Sequence, residues 1–170
     1  VGKITYGNNS ATQYTYDPDN LRLANIRTTG TQTTNYTIAS APYNWVTAGT
    51  ATGITGDDWY AYFGLQFPFA FYGNTYTAVY ISSNGFLSFG SGSGDWSPDP
   101  IPNVNTPNNI AAGLWRDLYP PAGGCTNSAC ITYSSGSNQF VVSYNNVRNY
   151  SNSNRQTFQI LLNSDGSIVY

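Results

Sequence analysis

The acidic residues of this chain are all aspartates, and five of them, Asp57, Asp58, Asp95, Asp99 and Asp117, fall near loops or strand ends. Paired carboxylates can divide acid and base roles when their environments push their pKa values apart. Three of the five sit in loop-like stretches, and Asp57 and Asp58 are adjacent, so an extended chain would point them to opposite sides. The pattern reads as loop caps and turn formers rather than as an acid–base pair. The same groups suit one other chemistry, because calcium takes six to eight oxygens and these loops offer many Asn side chains and carbonyls. The calcium candidates are Asp57, Asp58 and Asp117. No Asp-x-Asp-x-Asp spacing supports them, and Asp117, beside Arg116 and Trp115, reads first as an ion pair or turn at a strand end, with a calcium ligand as the alternative. The expectation is therefore no metal and no cofactor, with calcium as the exception to test.

The remaining catalytic inventory is thin. His, Glu and Met are absent, so a Ser or Cys nucleophile has no ordinary base, and Lys3 alone is a poor substitute. Cys125 and Cys130 stand in Gly-Gly-Cys-Thr-Asn-Ser-Ala-Cys with no further Cys or His to complete a metal site. They read as a local disulfide, worth about 2 kcal/mol for so short a loop and implying an oxidising compartment. These observations point away from an enzyme.

Charge narrows the partners. Only 8% of residues are charged, against about 25% in ordinary soluble domains. Solubility must come from Asn, Thr, Ser, Gly and Tyr, a surface more common outside cells than in the cytosol. Lys3, Arg22, Arg27, Arg116, Arg148 and Arg155 form no basic stripe, so nucleic acid is not an expected partner. No apolar run approaches the 18 or so residues of a membrane span, and membrane insertion is not expected. Asn-x-Ser/Thr sequons at Asn8, Asn35 and Asn149 are possible glycan sites on a secreted chain.

The aromatic population is large, with fifteen Tyr, eight Phe and four Trp. Phe67, Phe69, Phe71, Phe86, Phe89 and Phe158 fall into apolar strand patterns and read as core. Trp59, Tyr60, Tyr62 and Trp96 sit near loops. Such residues can stack on sugar rings or fill a protein interface, or pack across strands with their polar tips in water.

The elements that must carry these groups are strands. No window sustains a helical apolar period, β-formers dominate, and turn chemistry recurs about every ten residues. Strands are expected at Lys3–Tyr6, Thr12–Tyr16, Leu21–Arg27 and Gln32–Ile38. Few large aliphatics occur there, so this segment needs a neighbour. After a boundary near Ala39–Pro42, stronger strands follow at Leu65–Phe71, Thr75–Ile81, Phe86–Phe89, Ile110–Trp115, Ile131–Tyr133, Gln139–Val147, Gln156–Leu162 and Ser167–Tyr170. Pro68 suggests an edge or bulge. Asn84-Gly85 predicts a type I′ hairpin turn, and Asn163-Ser164-Asp165-Gly166 a second hairpin. Gly90 to Asn109 is a long loop of the kind that often carries function.

Two stretches resemble known families. Phe-Pro-Phe-Ala-Phe-Tyr-Gly (67–73), Val-Tyr-Ile-Ser-Ser-Asn-Gly-Phe-Leu-Ser-Phe (79–89) and Ile-Ala-Ala-Gly-Leu-Trp-Arg-Asp-Leu (110–118) come in order. Phe-Val-Val-Ser-Tyr-Asn-Asn-Val (140–147) and Thr-Phe-Gln-Ile-Leu-Leu-Asn-Ser-Asp-Gly-Ser-Ile-Val-Tyr (157–170) follow. Together they resemble the nidogen-like extracellular domain, extended back to about Tyr43 by Asp57-Asp58. Residues 2–37 resemble an RHS (YD) repeat through Tyr14-Thr15-Tyr16-Asp17 and Asn20-Leu21-Arg22-Leu23, where the usual pattern has Gly-Arg-Leu. The first resemblance implies a matrix or adhesion setting, and the second a larger cell-surface protein.

The sequence thus predicts an all-β chain: an antiparallel β-sandwich over 41–170 with a β-strand or hairpin appendage over 1–40. The expected role is an extracellular, non-catalytic structural or adhesive module of a microbial surface, partnered by neighbouring domains, identical subunits or glycan. Two alternatives stand beside it. One is a filament subunit, a homopolymer joined by strand addition through the N-terminal segment; the other is a carbohydrate-binding module.

Overall fold

The computed structural model describes the backbone of residues 2–5, 11–16, 23–29, 36–101, 103–125 and 129–170, with side chains from Tyr36 onward. The chain divides into two compact units, Val1–Ile38 and Ala39–Tyr170. In the first, β1 (Gly2–Thr5), β2 (Ala11–Tyr16) and β3 (Leu23–Thr29) form one antiparallel sheet in that order. The strand expected over Gln32–Ile38 lies partly outside the described residues, and its last part, Tyr36–Ile38, has no regular structure.

The second unit contains β4 (Thr50–Ala51), β5 (Tyr60–Phe71), β6 (Asn74–Ser82), β7 (Phe86–Ser88), β8 (Ile110–Ala112), β9 (Ile131–Ser135), β10 (Gln139–Arg148), β11 (Arg155–Asn163) and β12 (Ile168–Val169). Among the described residues a 3-10 turn, Pro120–Ala122, interrupts them. Two antiparallel sheets result, β12-β11-β10-β9-β4 and β5-β6-β7-β8, packed as a sandwich.

Period-two alternation fixes which face each strand buries. Along β5 every second residue turns inward, and the pattern ends in fully buried Phe67, Phe69 and Phe71. Phe69 and Phe71 meet Phe89 at ring separations of 5.5 and 4.5 Å. Opposite them, Phe140, Val142, Tyr144, Ile160 and Leu162 form the other wall. Burying a side chain of this size stabilises by roughly 1.5–3 kcal/mol, so these two walls dominate the unit's stability. Five of the six Phe assigned to the core are buried; Phe158 is half-buried, stacked face to face on Tyr144 at 4.4 Å. The Tyr144 hydroxyl crosses between the sheets and donates to the Ser82 carbonyl at 2.7 Å. Its complete burial pushes the phenol pKa far above its ordinary value.

Several boundaries differ from expectation. β5 begins at Tyr60 rather than Leu65, because outward Tyr60 and Tyr62 pair with Ser82 and Tyr80 of β6. The register of β5 shifts between Gly64 and Phe69, the stretch holding Pro68, and β5 is also a sheet edge. Thus both positions open to a strand proline are met. The strand expected to run to Trp115 stops at Ala112. Positive φ at both central residues, the requirement of a type I′ turn, occurs at Tyr72 and Gly73 (φ 44° and 79°) between β5 and β6. At the β6–β7 connection only Gly85 has it, because Asn84 is drawn inward.

One element had no sequence signature. Residues 41–49 form an irregular strap with no strand pairing. The Gln159 side chain of β11 accepts from the Val46 amide at 3.0 Å and donates to the Val46 carbonyl, standing in for a strand neighbour. Gln159 also donates to Ser143 Oγ at 2.7 Å, which fixes the orientation of its amide.

Candidate functional site

The group where most loops converge is built around Asn84. Its side chain is fully buried and all three of its hydrogen bonds reach other segments. Nδ2 donates to Asp58 Oδ1 at 2.8 Å and to the Gly94 carbonyl at 2.9 Å, and Oδ1 accepts from the Leu118 amide at 2.9 Å. The backbone assists, since the Asn84 carbonyl accepts from the Arg116 amide and Ser83 exchanges hydrogen bonds with Trp59. Close approach demands two glycines. A Cβ on Gly85 would run into the Leu114 carbonyl, and one on Gly94 into the Asp58 carbonyl. Loops 56–59, 83–85, 93–95 and 116–118 are thereby clamped to one amide.

This clamp gathers the calcium candidates. Carboxylate oxygens of Asp57, Asp58 and Asp117 lie within 4.8 Å of one another. Asp57 and Asp58 do not point apart, because they occupy a turn in which Asp58 takes φ 50°. Partial burial, then the neighbouring Asp58 charge, raises the Asp57 pKa above the ordinary carboxylate value. Asp117 is raised by the same causes, burial first and then the charges of Asp58 and Asp57. Three carboxylates held this closely offer the hard oxygen donors that a cation such as calcium prefers. Asp57 and Asp58 are both exposed, so no dry pocket separates one carboxyl's environment from another's.

The other aspartates cap loops. Asp95 Oδ1 accepts from the Ser97 amide and Asp99 Oδ2 from Asn105, both within the long loop 90–109. Trp115 Nε1 pins the same loop through the Asp95 carbonyl at 3.1 Å.

The four singled-out aromatics are exposed but form no single platform. Tyr60 and Tyr62 meet Tyr80 edge-on at 6.0 and 5.4 Å, making a short ladder on the outer face of the four-stranded sheet. Gly92 lies tight against Tyr60 and Tyr80, so the long loop covers part of it. The Trp59 ring lies instead over Gly56, and Trp96 rides on the loop beyond Asp95. Cys125 and Cys130 are disulfide-bonded. Of the sequons, Asn8 and Asn35 fall outside the described residues. Asn149 is buried, donating to Asn152 and accepting from Gln156, so its folded environment leaves no room for a glycan.

The buried polar side chains serve the scaffold. Ser82, Ser83, Asn84, Ser88, Thr132, Ser143, Asn149 and Gln159 are each hydrogen-bonded within the unit. Among the described residues only Ser135 Oγ is buried without a partner.

The convergent polar groups tie the loops at this end of the β-sandwich to one another. The nidogen-related (NIDO related) family model matches residues 35–170, and the chain belongs to that family. Comparison with curated proteins and with solved structures finds no match.

Proposed function

We propose that this chain is an extracellular, non-catalytic module of structural or adhesive kind, carried at a cell surface. The observation that carries the reading is how its polar groups are used. Among the described residues all the buried ones but Ser135 Oγ are bound into the scaffold. Apart from the Asp57–Asp58–Asp117 cluster and a few scattered charges, what faces outward is neutral amide, hydroxyl and aromatic surface. Membership of the nidogen-related family and the Cys125–Cys130 disulfide favour an oxidising, extracellular setting. The test is retention of beads coated with the chain on surfaces bearing the chain itself, other surface proteins, or glycans. Retention that survives Asp57→Asn and Asp117→Asn fits the reading. Failure on all three surfaces, or substrate turnover that stops on Asp58→Asn, overturns it.

A filament subunit is the second reading, favoured by one observation. The Val1–Ile38 unit is a three-stranded sheet in which β1 and β3 are both edges. Either edge can accept a strand from another copy, and a head-to-tail contact of that kind propagates without closing. If residues 2–37 are one YD repeat of a longer array, the same edges pair within that array instead. Electron microscopy separates the two, because only the first yields regular fibres from this chain alone.

A further inference from the structure

We propose that the groove between the 41–46 strap and the outer face of the five-stranded sheet is a binding site for a neutral saccharide. The proposal rests on the adhesive reading above and gives it a ligand class and a location. The groove exists because Gln159 holds the strap at Val46 while residues 41–45 pair with no strand. Its volume is about 610 Å³, within the range of small-ligand sites. Leu161 and Val169, cross-strand partners on one face, lie at its floor, and Tyr43 and Trp45 stand along the strap.

The lining chemistry selects the ligand. None of the lining side chains carries a charge, so no side chain there favours an anionic or cationic guest. Tyr43 is 89% exposed and Trp45 38%, so both offer flat faces along the groove on which a pyranose ring can stack. Asn44 and the Tyr43 hydroxyl make no hydrogen bond among the described residues, and the Thr157 hydroxyl accepts from the Asn146 amide with its own proton left to donate. Aromatic faces flanked by neutral amides and hydroxyls match a sugar, which presents C–H faces and a rim of hydroxyls. The outer Tyr60–Tyr62–Tyr80 ladder is a poorer candidate, since its rings are engaged with one another and with Gly92.

The test is titration of the whole chain with a β-1,4-glucan, an α-mannan and a β-galactan, plus polygalacturonate as the anionic control. Calorimetry and tryptophan fluorescence report binding. The expected result is binding of at least one neutral polymer, weakened roughly tenfold by Tyr43→Ala, a loss of about 1.4 kcal/mol, and unchanged by Tyr62→Ala. Trp45→Ala is the second variant, with unfolding curves confirming its fold. Binding of no neutral polymer overturns the proposal, as does preference for polygalacturonate or binding lost in Tyr62→Ala but kept in Tyr43→Ala. A proline-rich peptide that occupies the groove when no polysaccharide does so overturns it too. Bead retention on protein surfaces without polysaccharide binding would remove this site while leaving the adhesive reading intact.

Discussion

Replacing Asn84 should destabilise the Ala39–Tyr170 unit more than an ordinary loop substitution. In Asn84→Ala the Leu118 amide, on a fully buried residue, loses its acceptor, and an orphaned buried donor costs about 1–3 kcal/mol. The half-buried Gly94 carbonyl loses a donor worth about 1 kcal/mol. Asp58 is exposed, and water replaces most of what its carboxylate loses. The expected total is about 3 kcal/mol, a large share of the roughly 5–15 kcal/mol that holds a domain together. Asn84→Asp separates geometry from charge. It keeps an acceptor for Leu118 but aims a fourth carboxyl at Asp57, Asp58 and Asp117. Burial and those charges raise the folded pKa of the new group above its unfolded value of about 3.9. The folded state then binds the proton more tightly, so the penalty is full above the raised pKa and relieved as pH falls through it. Urea unfolding followed by fluorescence is the assay, since Trp45, Trp59, Trp96 and Trp115 all belong to this unit. An Asn84→Ala variant within about 1 kcal/mol of the native chain, or a pH-independent penalty for Asn84→Asp, would refute the reasoning.

Three further outcomes are expected. Tyr144→Phe removes the hydroxyl bonded to the Ser82 carbonyl across the sandwich and should cost about 1–2 kcal/mol in the same unfolding assay. Asp57 and Asp117 have raised pKa values, so stability should increase as pH falls from neutral through their folded values and level off below about 3.8. Calorimetry from pH 7 to 4 should show a weaker rise in Asp117→Asn, whose midpoint at pH 7 should be the higher of the two; millimolar calcium that lifts only the native midpoint would identify the cluster as a cation site. Gln159→Leu leaves both backbone groups of Val46 without their partner, and limited proteolysis should then cut within residues 39–46 while the sheets stay intact.

Strand content was legible because alternation is a strong signal wherever one face is buried, as in Phe67, Phe69 and Phe71. The sandwich followed from it. The site was less legible, for reasons seen in particular residues. Asp57 and Asp58 look divergent only if the chain is extended, and it is the turn that brings them together with Asp117. Asn84 sits in a dipeptide that ordinarily marks a solvent-facing turn, so its local context concealed a buried role that depends on residues 26 and 34 positions away. Gln159 occupies a polar position on a strand face that alternation assigns to solvent. Only the strap, 113 residues earlier, turns that position into an interior one.

The strap also has a mechanical consequence. A pull on the chain from the N-terminal side of this unit reaches residues 39–45 before any strand. These can peel away one by one, each releasing up to about 3.4 Å of length, until the load arrives at Val46. There the two hydrogen bonds to Gln159 are loaded together, so they must fail as a pair before β4 is drawn from β9. Until that clasp lets go the load enters the sheet through the Gln159 side chain of β11 and the β4–β9 pairing is not pulled directly. The length stored in residues 39–45 is thus given up before any strand pairing on the N-terminal side is broken.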